Sequence, residues 1–280
     1  MSKMRCVVLI CLFVLIALGR PQPAAAVDRI DFAVIQPGQP GTPEEAQPVM
    51  DELAVYVGER LGTRSPLRGI YFNDLKEALA FVDSTPPKWA IVSLDFYAEE
   101  ANRLDLTPIA STRPSGFEQD IWRLVVHRDT PDGWQTVRGK VWGTMLFNRR
   151  AAACLAFGCS PGALPFALVG TFRPLKALRA TARKKGAGVL LDRMQYEAMK
   201  SLPLASEIKI IHTSAELPTS PVVSFGPPDD LMNKLAGVLR EMKDDPKANQ
   251  LLQLLMTTGF GPPDPMLSRV SLGPNGECTP

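Results

Sequence analysis

Blocks of apolar residues alternate with polar loops along this chain, and their spacing predicts strands and helices in turn. Residues 31–36 are apolar on both faces of an extended chain and run into a loop rich in Pro and Gly, which predicts a buried strand. Thr42, Pro43 and Glu45 then form a capping box with Pro at the first helical position, and apolar residues recur at helical spacing as far as Leu61. The folded chain is therefore expected to open with a strand, a loop and a helix.

The same alternation continues along the rest of the chain. Short apolar runs predict further strands near residues 70–72 and 89–93, and Asn73 is expected to cap the helix between them. Strand and helix units follow up to residue 225, two helices come after them, and the chain beyond Gly261 is expected to be an irregular tail. This order predicts an α/β fold with mostly parallel sheets flanked by helices, in which ligands bind beyond the carboxyl ends of the strands.

The N-terminus has the three parts of a secretory signal. Lys3 and Arg5 precede an uninterrupted apolar run over residues 6–19, and a run of alanines ends at Ala26. The apolar run is shorter than the roughly 20 residues that span a bilayer. We therefore expect residues 1–26 to be a signal peptide that is cleaved after Ala26, and the mature chain to be periplasmic or secreted.

The net charge changes once the signal is set aside. The full sequence has 31 Lys and Arg residues against 29 Asp and Glu residues, and Lys3, Arg5 and Arg20 belong to the signal, so the mature chain is close to neutral. A chain without a basic face has no electrostatic reason to bind nucleic acid or an anionic membrane. Neither partner is therefore expected.

Three cysteines remain after the predicted cleavage. Export places Cys154, Cys159 and Cys278 in an oxidising compartment, where Cys159 could pair with Cys154 or with Cys278. The sequence leaves both pairings open.

The sequence offers little material for catalysis. Both histidines, His127 and His212, lie in apolar strands, and no zinc-protease, serine-hydrolase or phosphate-loop motif is present. The acidic pairs at residues 99–100 and 244–245 lie in polar helical stretches, where a solvated face is the favoured interpretation. We therefore expect a binding protein without catalytic residues, metal or cofactor.

The order of several segments resembles that of a known family. The segments include FAVIQP at 32–37 and RLVVHRDT at 123–130, together with residues 57–62, 106–110, 137–140, 217–218, 221–223 and 245–260. In this order they are similar to the phosphate, phosphite and phosphonate family of ABC-transporter substrate-binding proteins, which has the type II periplasmic-binding fold. The resemblance implies two α/β lobes, the first at 27–116 plus 214–280 and the second at 117–213, with a small molecule held in the cleft between them. It also implies a monomer that delivers its solute to an ABC permease.

The resemblance directs attention to residues that would face the cleft. Relatives that bind phosphonate have a hydroxyl-rich turn that is absent here at residues 144–150, where Asn148 is instead expected to cap a helix and Arg149 and Arg150 to pair with an oxyanion or carboxylate. A solvated basic turn is the alternative for the two arginines. The remaining candidate ligand residues are Gln36, Ser93, Asp95, Tyr97, Thr171 and Asp192. For Asp192 an ordinary helix N-cap is the favoured interpretation.

These observations predict an exported solute-binding protein that captures a small anionic ligand for an ABC-type importer. Two alternatives stay open. One is a diverged binding module that serves as a periplasmic sensor or contacts a protein partner, and the other is an exported enzyme of another type.

Overall fold

The computed structural model describes residues 29–273 and residue 278, so the predicted signal peptide lies outside the described residues. The strands are β1 Ile30–Ile35, β2 Leu67–Phe72, β3 Trp89–Val92, β4 Leu106–Thr112, β5 Gln119–Asp120, β6 Arg123–His127, β7 Gly139–Gly143, β8 Phe166–Gly170, β9 Gly188–Leu191, β10 Ile208–Thr213, β11 Leu217–Pro218, β12 Pro221–Phe225 and β13 Phe260–Gly261. The helices are α1 Pro43–Leu61, α2 Leu75–Ser84, α3 Leu94–Glu100, α4 Arg149–Phe157, α5 Pro174–Ala182, α6 Arg193–Lys200, α7 Asp230–Glu241, α8 Asn249–Leu254 and α9 Leu267–Val270. None of the helices within these ranges has the length and apolarity that a membrane span requires.

A six-stranded sheet in the order β13-β4-β12-β3-β1-β2 forms the first lobe. Its central strands are buried on both faces. Phe32 and Val34 of β1 share a core with helices α1, α7 and α8, while Ala33 and Ile35 face a second core on the other side. Burial on both faces explains why the strand reads as a continuous apolar run.

The N-cap predicted for α1 is confirmed, and the N-cap of α2 lies one residue later than predicted. The Thr42 hydroxyl accepts a hydrogen bond from the backbone N–H of Glu45, and the Glu45 carboxylate accepts one from the backbone N–H of Thr42, so the predicted capping box is confirmed. The cap of α2 is Asp74, not Asn73 as predicted. Asn73 instead donates to backbone carbonyls of the loop after β1, because that loop folds over the end of β2.

A five-stranded sheet in the order β10-β6-β9-β7-β8 forms the second lobe. The predicted two-lobed α/β architecture is confirmed, but both sheets are mixed and not mostly parallel. The parallel pairs are β1 with β2 and β3, and β7 with β8 and β9, whereas β12 is antiparallel to β3 and β4, and β6 is antiparallel to β9 and β10. The chain leaves the first lobe after β4 and returns as β12 beside it, so the returning strand runs in the opposite direction.

The two passages between the lobes pair with each other. Strand β5 leads to the second lobe and β11 leads back, and they form a short antiparallel sheet in which Asp120 lies opposite Leu217. The passage therefore places Asp120 between the two large sheets.

The lobes also contact each other away from these passages. One apolar core includes Ile35 and Val92 of the first sheet and Leu124 and Val141 of the second, and helices α3 and α4 from the two lobes lie side by side. The loop after β1 approaches the second lobe so closely that a Cβ atom on Gly38 would lie 2.4 Å from the Thr144 carbonyl oxygen. The lobes are therefore closed on each other at these contacts.

The C-terminal segment is more ordered than the predicted irregular tail. It forms α9, and the backbone N–H of Leu272 then donates to the Ala98 carbonyl on α3. This path brings Cys278 to Cys154 on α4, where the two form a disulfide, and Cys159 is the unpaired cysteine of the described residues. Neither pairing considered from the sequence is correct, because Leu272 packs against Ala98 of α3 and against Cys154 of α4, which holds the C-terminal segment beside Cys154.

Candidate functional site

The predicted site residues separate into two groups. Ser93, Asp95 and Tyr97 lie at the start of α3 and in it, opposite the turn before α4. Gln36 and Asp192 lie elsewhere, in the cleft beside the two passages between the lobes. The two groups have different surroundings and are described in turn.

Asp95 and Asn148 join the two lobes by a buried hydrogen bond. Their exposed fractions are 2% and 3%, and the Asn148 amide Nδ2 donates to Asp95 Oδ2 over 2.8 Å. Burial raises the pKa of Asp95 to about 6, against the lowering effect of the hydrogen bond from Asn148. Asn148 precedes α4 but makes no capping bond with its side chain, contrary to prediction, and the Ala151 N–H that such a cap would satisfy donates to Glu99 instead.

The N-terminus of α4 is already occupied by a carboxylate of this chain. Glu99 Oε2 accepts a hydrogen bond from the backbone N–H of Ala151 over 2.9 Å, and Glu99 Oε1 lies 2.6 Å from the Arg150 guanidinium. The Glu99 side chain is 10% exposed, so the solvated face expected for the pair at residues 99–100 is wrong. Glu99 fills the place where the sequence suggests a bound anion.

The remaining residues of this group do not form an open pocket. Tyr97 is buried in the apolar core that joins the lobes, and burial raises the pKa of its hydroxyl. The Ser93 hydroxyl is buried without a hydrogen-bond partner among the described residues. Arg149 is exposed to solvent. In the second lobe, Thr171 accepts a hydrogen bond from the backbone N–H of Arg173.

An open cleft lies between the lobes beside the paired passages. Its volume is about 130 Å³, and it adjoins a larger cavity of about 250 Å³ in the first lobe. Side chains from both lobes and from the passages line the cleft, among them Gln36, Gln39, Phe117, Asp120, Asp192 and Arg193. Gln36 lines both spaces, which places this predicted residue at their junction.

Two carboxyl groups and a guanidinium dominate the chemistry of the cleft. Asp192 caps α6 by accepting a hydrogen bond from the backbone N–H of Gln195 over 2.7 Å, as the favoured interpretation predicted. Burial, and then the charge of Asp120, raise the pKa of Asp192. Asp120 accepts hydrogen bonds from the backbone N–H of Arg193 and from the Trp122 indole.

The Arg193 side chain completes this wall of the cleft. Its guanidinium carbon lies 4.5 Å from the centre of the Phe117 ring, and its Nε atom is buried without a partner among the described residues. An unpartnered buried donor is costly unless a ligand or water accepts its hydrogen bond. Within the described ranges, no cluster of side chains is suited to a metal ion.

Comparison with known proteins shows the fold and nothing finer. No protein-family model and no curated protein matches the chain. Among solved structures, XAC2383 from Xanthomonas citri bound to ATP is 18% identical, with a TM-score of 0.66 over 86% of this chain and 93% of the other. A binding protein component of an ABC phosphonate transporter from Pseudomonas aeruginosa is 15% identical, with a TM-score of 0.62 over 89% and 92%. An ancestral arginine-binding protein bound to arginine is 14% identical, with a TM-score of 0.51 over 80% and 96%.

The chain has the type II periplasmic-binding fold. Three residues that line the cleft, Phe117, Asp120 and Arg193, were not predicted from the sequence. Two features of the sequence pointed to Asp120 and Arg193. Asp120 lies in a passage between the lobes, and Arg193 follows the cap of α6 at a position where the helix dipole disfavours a cation.

Proposed function

We propose that this chain is an exported solute-binding protein that holds a small molecule in the interlobe cleft and presents it to an ABC-type permease. The fold supports a binding role, and the cleft is lined by both lobes and by the passages that connect them. A ligand there would contact every part of the protein that must move when the lobes separate. The polar side chains of the cleft would fix its orientation.

In this proposal the ligand's anionic group binds at the start of α6, and not at the start of α4 where the sequence predicted it. The N-terminus of α4 holds Glu99, and Arg150 is paired with the same carboxylate, so an anion would have to displace both contacts. The Arg193 side chain lines the cleft, and its Nε has no hydrogen-bond partner among the described residues, so Arg193 is the better candidate to bind an anionic group.

The observation that carries the proposal is the pair of carboxyl groups on Asp120 and Asp192 beside that guanidinium. Two neighbouring carboxylates repel, which is one reason why the pKa of Asp192 is raised. A ligand ammonium group would relieve this repulsion, and a ligand carboxylate or phosphonate would face Arg193. We therefore infer a zwitterionic head group, and the predicted anionic group becomes one half of it.

A thermal-shift series on residues 27–280 tests this proposal. The panel contains zwitterions (α-amino acids and aminoalkylphosphonates), simple oxyanions (phosphate and sulfate) and simple amines. We expect zwitterions to stabilise the protein most, by roughly 2.7 kcal/mol at a hundredfold excess over the dissociation constant. Asp192→Asn keeps the N-cap and should weaken zwitterion binding at least tenfold.

Two outcomes would contradict the proposal. Arg150→Ala is the control and should leave the response unchanged, so a response to oxyanions that Arg150→Ala abolishes would return the site to α4. If no compound of the panel stabilises the protein and another protein copurifies with it, the alternative of a sensor or protein-interaction module would be favoured.

A further inference from the structure

The cavity in the first lobe has a largely apolar lining. It has a volume of about 250 Å³ and lies between the sheet, helix α1 and the turn after α8. The apolar side chains that line it include Val34, Val49, Met50, Tyr71, Ile91 and Phe260. A concave, largely apolar lining of this kind favours the apolar part of a ligand, because binding there removes apolar surface from water.

The rim of the cavity exposes apolar side chains. Leu254 and Met256 line it and are 49% and 64% exposed, and Met256 has a φ of 55°, in the left-handed region that few residues other than Gly adopt. Exposed apolar groups beside an apolar cavity extend its surface outwards. The rim therefore adds apolar contact area for a bound molecule.

The cavity and the cleft are continuous with each other. Residues from the loop after β1, from β4 and from the turn after α8 line both spaces: Gln36, Gln39, Thr112, Leu255, Met256 and Thr257. One side of the combined space is polar and charged, with Asp192 and Arg193, and the other is apolar. A single molecule with a polar head and an apolar body would fit both halves.

We propose that the solute is amphipathic, with its polar head in the cleft and an apolar body in the cavity of the first lobe. This inference rests on the function proposed above and specifies its ligand. The cleft orients the head, and the cavity selects the body by removing its apolar surface from water.

Calorimetric titration with a homologous series separates the two parts of the ligand. The series is alanine, 2-aminobutyrate, norvaline, norleucine and 2-aminoheptanoate, which share one zwitterionic head and differ by single methylene groups. We expect the dissociation constant to fall about fourfold with each methylene until the cavity is full.

Ala46→Phe is the variant that fills the cavity. Ala46 lies on α1 and lines the cavity, so the added ring should abolish the dependence on chain length and leave alanine binding unchanged. Ala46→Leu fills less of the space and should shorten the longest member that gains affinity. Val55→Phe is the matched control, because Val55 is on the same helix and 61% exposed, and it should reproduce the wild-type series.

The titration distinguishes a failure of this inference from a failure of the proposed function. Equal affinity for all members of the series would overturn the apolar body while leaving the zwitterion site in place. If no member binds, crystals under xenon pressure test the cavity without a head group. Xenon bound in the wild type and in Val55→Phe, but absent from Ala46→Phe, would support an apolar subsite. No xenon in the wild-type cavity would overturn it.

Discussion

At the scale of single residues, Asp95 imposes a pH-dependent cost on folding. Its pKa rises from an ordinary 3.8 to about 6 because burial disfavours the carboxylate, and the nearby Glu99 charge adds to this effect. The folded chain therefore binds a proton more tightly than the unfolded chain between these values, so the free energy of unfolding falls as pH rises through them. The shift corresponds to about 3 kcal/mol.

Asp95→Asn should remove this cost. The Asn oxygen still accepts the hydrogen bond from Asn148, so the contact between the lobes is kept. Relative to wild type, the variant should gain about 3 kcal/mol between pH 4 and pH 8, measured by urea unfolding. Asp244→Asn, at a side chain that is 72% exposed, is the control. Parallel pH profiles for Asp95→Asn and wild type would show that Asp95 does not carry the penalty.

At the scale of elements, a side chain of the first lobe stabilises the N-terminus of helix α4 in the second lobe. A helix N-terminus leaves backbone N–H groups without partners, and here the Glu99 carboxylate on α3 accepts one of them and pairs with Arg150. The contact joins two helices that come from different lobes. It also keeps the start of α4 closed to other anions.

Replacing Glu99 should therefore loosen this junction. Glu99→Ala leaves the Ala151 N–H without its charged acceptor and should cost about 2 kcal/mol of unfolding free energy. Glu99→Gln keeps an acceptor and should cost less. Glu118→Ala breaks an ion pair in which Glu118 is 70% exposed, and it should change stability by less than about 1 kcal/mol. If Glu99→Ala proved as mild as Glu118→Ala in denaturant titrations, the junction would not depend on this carboxylate.

At the scale of the whole molecule, a disulfide connects the tail to the second lobe. The tail is anchored on α3 through Leu272, and Cys278 then bonds to Cys154 on α4, at a sequence separation of 124 residues. Closing so long a loop removes much conformational entropy from the unfolded chain. The bond therefore restrains both unfolding and the separation of α3 from α4.

Loss of this bond should be costly for the whole fold. Cys278→Ser should lower the unfolding free energy by about 4 kcal/mol under non-reducing conditions, measured in guanidinium. Cys159→Ser is the matched control, since Cys159 is unpaired in the described part of the chain, and it should leave the midpoint nearly unchanged. A larger loss of stability for Cys159→Ser than for Cys278→Ser would show that the disulfide does not join Cys154 to Cys278.

The elements predicted from the sequence are those whose signals are local. The capping box at Thr42, the apolar strand β1 and the N-cap at Asp192 each depend on residues a few positions apart, so the pattern of side chains is enough to predict them. The order of strands and helices also predicted the α/β class, and the resemblance to a known family predicted the two lobes.

Tertiary structure decided the features that join distant parts of the chain. Strand β12 enters the first sheet from the second lobe, Asn148 meets Asp95, and Cys278 reaches Cys154. The same is true of the cleft, where Asp120 accepts a hydrogen bond from the backbone N–H of Arg193, 73 residues further along the chain. Such contacts depend on how the lobes close on each other, and spacing along the sequence contains no measure of that distance.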